Sequence, residues 1–318
     1  MPGSSSPSSL ILLAGPTASG KTSLAVDLAQ VLHGEIISAD SMQIYRGCAI
    51  GTAQPSPQEL RGTPCHLVGC RHPWEPWSVA DWLRAAQDRI QDIQGRGRTA
   101  IVAGGTGLYF KALSDGLFEA PGAGRNAPLR SELEAAWDAD GGRDLYAQLS
   151  QIDPVAAKHI HIHDRLRIVR ALEVFHASGR PLSALQAEGR RKHTRPKACR
   201  LVLSMDRADL YHRIDQRVEA MMSQGFMEEV RALMASGATE HWPAMRALGY
   251  PQMLQAVRGE ITRAEAIAQT QQASRRYAKQ QLVLLRPWRG AVWIDAGRAQ
   301  DARRAAEIVL EFSRMGNV

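Results

Sequence analysis

The stretch LILLAGPTASGKT, Leu10 to Thr22, decides the fold. Its first five residues are a short unbroken apolar run, the pattern of a strand covered on both faces. The next eight, Gly15-Pro16-Thr17-Ala18-Ser19-Gly20-Lys21-Thr22, satisfy the spacing GxxxxGK[ST]. From Ser23 to His33, apolar Leu24, Leu28, Val31 and Leu32 recur at helical spacing before Gly34 stops the pattern. Strand, glycine-rich turn and helix follow in the order that phosphate binding requires. The glycines let backbone N–H groups close around anionic oxygens, the helix N-terminus adds positive potential, and Lys21 supplies a point charge. Thr22 is placed to ligate a Mg²⁺ ion. The motif does not say which phosphate ester is held.

Further strands read outward from this unit at Glu35–Ala39, ending beside Asp40, and at Thr99–Ala103, ending in Gly104-Gly105-Thr106-Gly107. In a parallel α/β sheet the carboxyl ends of the strands share one crevice, so the loop, Asp40 and Thr106 should converge on one rim. Between Pro121 and Pro196 the pattern turns to helices, at Leu129–Ala139, Arg143–Gln151 and Leu166–Ala177. A strand returns at Arg200–Met205, with helices at Leu210–Ala235 and Arg263–Leu285, a last strand at Val292–Asp295 and a closing helix at Asp301–Arg314. The expected fold is therefore α/β, a P-loop NTPase-like parallel sheet flanked by helices. Residues 10–120 and 197–318 form the core domain, 121–196 an all-helical insertion, and 1–9 a disordered tail.

Composition excludes several classes. Of 318 residues, 44% are hydrophobic and 22% charged, and no apolar run approaches the roughly 18 residues of a membrane span. A soluble, cytoplasmic chain without a membrane partner is expected. Cys48, Cys65, Cys70 and Cys199 form no CxxC pair and read as reduced thiols, and His159, His161 and His163 lack paired metal-ligand spacing. Net charge is +7, but Lys158 to Arg200 alone holds eleven Lys/Arg against three Asp/Glu. So concentrated a patch points to a phosphate backbone as partner.

A nucleotide-hydrolysing machine would usually place an acid at a strand end to hold metal or water, and Thr99–Ala103 ends in glycines instead. Asp40 is the carboxylate at a strand end beside the loop, suited to binding Mg²⁺ or taking a proton from an acceptor. Two other readings share these features: a small-molecule kinase using ATP, and a non-enzymatic RNA-binding protein that senses nucleotide.

GPTASGKT, IISADSMQIYRG, IVAGGTGLYFKAL, RALEVF with SGRPLS, RALGYPQ, RRYAKQQ and LLRPW occur in one ordered series from Leu12 to about Trp288. The series resembles that of the tRNA dimethylallyltransferases, also called tRNA isopentenyltransferases or IPP transferases. The zinc-finger tail of eukaryotic relatives is missing, so the likeness is to bacterial or organellar members. The resemblance implies transfer of a dimethylallyl group from dimethylallyl diphosphate to N6 of adenosine 37 of tRNA, next to the anticodon, with Mg²⁺ required. Gly15 to Thr22 would then hold the donor diphosphate, and Asp40 would accept the amine proton. Thr106 and Arg130 would contact departing phosphates or RNA. Contacts to the anticodon stem-loop would come from Asp40, Ser41, Met42 and Gln43, from Arg167, Ile168, Val169 and Arg170, from Arg246, Gly249 and Tyr250, and from Lys279, Gln280 and Arg286. Leu166 stands where many members have Gln, and Gln280 where Arg is common. No coiled-coil pattern appears, and a monomer is expected.

Overall fold

The computed structural model describes residues 10–117, 127–192 and 196–296, together with 304–305, 307–309 and 311–312. In chain order the first elements are β1 (Leu10–Ala14), α1 (Lys21–Val31), β2 (Gly34–Ser38), α2 (Pro57–Leu60), β3 (Cys65–His66), α3 (Val79–Gly95), β4 (Thr99–Gly104) and α4 (Gly107–Asp115). Five helices follow: α5 (Ala127–Asp140), α6 (Arg143–Ile152), α7 (Pro154–Ala157), α8 (Arg165–Ser178) and α9 (Leu182–Lys192). The chain then forms β5 (Cys199–Ser204), α10 (Arg207–Ser223), α11 (Phe226–Ala235), a 3₁₀ turn at Pro243–Arg246, α12 (Tyr250–Val257), α13 (Arg263–Leu285) and β6 (Ala291–Asp295). Two compact units result, one of residues 1–111 with 196–318 and one of 112–195. The second begins before the expected boundary at 121, inside α4. The expected tail lies outside the described residues, as does half of the expected closing helix.

The first unit is built on a six-stranded sheet of order β3-β2-β4-β1-β5-β6, with every pairing parallel. β1 is buried along its whole length because both faces are covered, which is why its sequence does not alternate. Ile11 and Leu13 pack with Ile101, Leu201 and Leu203 and with Leu24, Ala25 and Leu28 of α1 in one core cluster. Register sets the site. Ala14 pairs with Gly104, and Ser38 with Ala103, so β2, β4 and β1 all end at one level with their following turns side by side.

Two differences from the sequence reading have plain causes. The single helix expected at Leu210–Ala235 is two, broken at Gly225, whose φ of 97° lies in the left-handed region. The helix Val79–Gly95, not anticipated, carries a capping box between Ser78 and Asp81 and buries Trp82, Ala86, Ile90 and Ile93 on one face. Those signals were present in the sequence.

The second unit has its own core of Leu133, Leu145, Leu149, Ile168, Leu172 and Val174 with neighbours from the same helices. Buried Asp153 ties it together, accepting from the Ala156 N–H at 2.9 Å and from the Ser183 N–H and hydroxyl at 2.8 and 2.6 Å. Such a carboxylate is stable in the interior because donors surround it.

Candidate active site

Within the first unit, a cavity of about 470 Å³ opens at the carboxyl ends of β1, β2 and β4. Thr17, Lys21 and Thr22 line it from the loop, and Asp40 to Gln43 from the turn after β2. Gly104 and Gly105 close the wall between them, and Arg217 and Arg246 enter from the α10 and 3₁₀ segments. The loop and Asp40 thus line one space, whereas Thr106, expected on the same rim, is not among its lining residues and meets the Asp40 turn through a hydrogen bond.

The loop is shaped for an anion. Ala18 and Gly20 have φ of 62° and 87°, which curls successive N–H groups inward. Gly20 caps α1 with no side chain bonded to the helix's first N–H groups, leaving them for a ligand. Lys21 Nζ donates to Pro16 O at 2.5 Å. Packing around Lys21 lowers its pKa to about 7; the nearby Arg217 charge pushes the same way, and Asp40 opposes both. Arg217 is itself held below its usual value, again mainly by burial, with Asp40 opposing. Two cations crowded into one enclosed space, each costly without a counter-charge, form a ready receptor for a polyanion.

Asp40 is oriented by the backbone that follows it. Its Oδ1 accepts from the Met42 N–H at 2.9 Å and the Gln43 N–H at 3.4 Å. Thr106 ties this turn to the next, its Oγ1 accepting from the Ser41 N–H at 3.1 Å while its own N–H donates to Ala39 O at 3.1 Å. β4 runs so close here that a Cβ on Gly104 would lie 2.2 Å from Ala39 O, so only glycine fits. Trp82 closes the far side of β2, its indole N–H donating to Ser38 O at 2.9 Å. Gln43 has a structural task, its carboxamide linking Ser38 Oγ at 2.9 Å to Ala53 O at 2.8 Å.

The remaining expected residues divide. Arg246 lines the cavity and is exposed, as are Lys279, Gln280 and Arg286 at the end of α13. Gly249 adopts φ 95° to start α12. Tyr250 requires a correction: its side chain is buried, its hydroxyl donates to Glu229 Oε1 at 2.7 Å, and it cannot touch RNA. Ile168 and Val169 are corrected likewise, since both lie in the core of the second unit. Helical periodicity leaves only Arg167 and Arg170 of that stretch outward, paired with Asp164 and Glu173. Arg130 also belongs to the second unit, where it pairs with Glu134 and Glu173. Among the described residues no cluster of His, Cys, Asp or Glu could hold a metal alone, and the four cysteines are free thiols.

Arg217, Tyr277 and Gln281 also line the cavity; the last two lie in the RRYAKQQ motif, whereas the sequence assigns Arg217 no role. Arg217 sits on α10, where nothing local distinguishes it from neighbouring polar residues.

The family model for IPP transferases matches residues 43–288, and one for isopentenyl transferases matches residues 8–69. The chain belongs to the IPP transferase family. The tRNA dimethylallyltransferase of Anaeromyxobacter dehalogenans is 48% identical over 287 residues, 90% of this chain and 94% of the relative. The solved tRNA isopentenylpyrophosphate transferase of Bacillus halodurans aligns with a TM-score of 0.70 at 35% identity, covering 98% of this chain and all of the other. A eukaryotic dimethylallyltransferase solved while acting on tRNA aligns at 0.81 with 25% identity, covering 98% and 80%. These IPP transferase relatives are named as prenyl-group transferases, which sets the kinase alternative aside. Among the described residues no helix is long and apolar enough to cross a membrane.

Proposed function

We propose that the chain transfers a dimethylallyl group from dimethylallyl diphosphate to N6 of adenosine 37 in tRNA, next to the anticodon. One observation carries this reading. The lysine-bearing loop and Asp40 line the same cavity, so a leaving diphosphate and an acceptor amine can be served together. The allylic C–O bond breaks, its electrons leaving with the diphosphate, and an N6–C bond forms at the allylic carbon. Lys21, the loop amides and Arg217 face the charge that develops on the diphosphate, the effect that dominates such catalysis. The exocyclic amine is a weak nucleophile because its lone pair is conjugated with the ring, and it becomes cationic as the new bond forms. Asp40, held by the Met42 and Gln43 amides, takes its proton.

Thr22 is exposed toward the cavity, so its hydroxyl would offer an oxygen ligand beside the donor's phosphates. That donor set suits Mg²⁺, which keeps several waters and binds through few protein ligands plus phosphate. When bound it would neutralise diphosphate charge. The adenosine is presented unstacked, at a cost of about a few kcal/mol. Arg167 and Arg170, in the basic second unit, contribute to offsetting this by contacts to tRNA phosphates. The protein acts as a cytoplasmic monomer.

Incubation with labelled dimethylallyl diphosphate and unmodified tRNA tests the reading. Label should enter tRNA at the adenosine beside the anticodon, and label staying out of the RNA rejects it. Asp40→Ala should abolish transfer while tRNA affinity stays within a few fold; a loss of affinity in step with activity would place Asp40 in binding alone.

A further inference from the structure

Gln281 is 2% exposed, and its carboxamide joins two glycine-rich turns that are remote in sequence. Its Oε1 accepts from the Thr17 N–H at 2.8 Å, and its Nε2 donates to Gly105 O at 2.9 Å. The reverse orientation would set donor against donor and acceptor against acceptor, so the two bonds determine which way the amide points. The approach is tight: a Cβ on Gly105 would lie 2.1 Å from Nε2. One helical turn earlier on α13, Tyr277 lines the same cavity. α13 therefore braces the loop and the turn after β4 through the Gln281 carboxamide.

The Thr17 bond has a chemical consequence. A cradle of this kind binds anions by the number of N–H groups left pointing at them. Amides nearest the start of α1 surround the phosphate closest to the helix, and a longer phosphate chain runs back along the loop toward its first half. Thr17 lies in that first half, and its N–H is already spent on a neutral internal acceptor. Ligand oxygen there would meet the carboxamide oxygen instead of a donor.

We infer that Gln281 is a specificity-determining positioning residue, which by occupying the Thr17 amide sizes the loop for two phosphoryl groups and disfavours three. The inference rests on the reading that the loop holds a diphosphate. It explains how a loop of the type that commonly holds nucleoside triphosphates can be restricted to a shorter donor without any change in its own GxxxxGK[ST] pattern.

The test uses the full chain and two probes, inorganic pyrophosphate and tripolyphosphate, with their dissociation constants measured calorimetrically. Gln281→Leu removes the acceptor and frees the Thr17 N–H. The ratio of affinities should move toward tripolyphosphate by about tenfold or more, the worth of one hydrogen bond to a charged group. Gln281→Glu keeps an acceptor for Thr17 but loses the donor to Gly105; both affinities fall and the ratio stays within about threefold. A general loosening of the loop would weaken both probes and leave the ratio in place. An unchanged ratio in Gln281→Leu, with both probes still bound, overturns the inference. If that variant does not fold, the wild-type amide resonances decide. Pyrophosphate should shift those of Gly20 and Lys21 and leave that of Thr17 in place, whereas a Thr17 shift as large as theirs overturns the inference. A wild-type chain that binds neither probe overturns the diphosphate reading and this one with it.

Discussion

Lys21 should take up a proton when the donor binds. In the donor-free chain its pKa is lowered to about 7, first by burial and then by the Arg217 charge, with Asp40 opposing. A diphosphate placed against it reverses the balance, because the incoming negative charge favours the ammonium form. At pH 8 a group of pKa about 7 is roughly nine-tenths neutral, so donor binding should draw in about 0.9 proton; at pH 6 the uptake should fall to about 0.1. The linked affinity should weaken by up to about tenfold per pH unit above about 7, since the site must be charged before it binds. Titrations of dimethylallyl diphosphate in buffers of different ionisation enthalpy measure the proton count directly. Lys21→Met should abolish the uptake and weaken binding. A proton count near zero from pH 6 to 8.5 in the wild type would refute the reasoning, because it would mean that Lys21 is already charged in the free chain.

Arg217→Gln should raise the Lys21 pKa by removing the neighbouring positive charge, so the midpoint of proton uptake moves to higher pH while donor affinity falls; an unmoved midpoint would show that the two cations are not coupled. Glu35, whose side chain is 3% exposed, is held down to about pH 2, first by its hydrogen bond from Arg96 and then by His66 and Arg98, against burial. That contribution to stability is present above about pH 4.5 and is lost as pH falls toward about 2, so Glu35→Gln should lower Tm at pH 7 and much less at pH 3. An equal Tm difference at both pH values would contradict it. Gly104→Ala should cost about 2–4 kcal/mol, because its Cβ would lie 2.2 Å from Ala39 O, and should lower kcat by displacing Asp40; a neutral effect in chemical denaturation would count against the close approach.

Much of the fold was legible in the chain's local patterns. An unbroken apolar pentad, the GxxxxGK[ST] turn and a helical period together specify strand, anion loop and helix, because each reflects a backbone conformation set within a few residues. Parallel strands put their carboxyl ends on one side, which brings the loop at Gly15–Thr22 and Asp40 together, but the order of the strands was not legible in the chain. Other elements left weaker traces. β3 has two residues, too few for any period, and the break at Gly225 shows as one glycine within a long polar-apolar pattern.

Tertiary structure decided which polar residues face the site. Gln281 meets Thr17 across 264 residues of sequence, and Arg217 reaches Lys21 from a helix whose other polar positions look the same when read in line. It also decided that Ile168, Val169 and Tyr250 turn inward, although neighbouring residues of the same motifs are exposed. Local sequence encodes dihedral preference and the side of a helix that is apolar. Which distant backbone amide a buried carboxamide will find depends on how helices and strands pack, and that information is spread over the whole core.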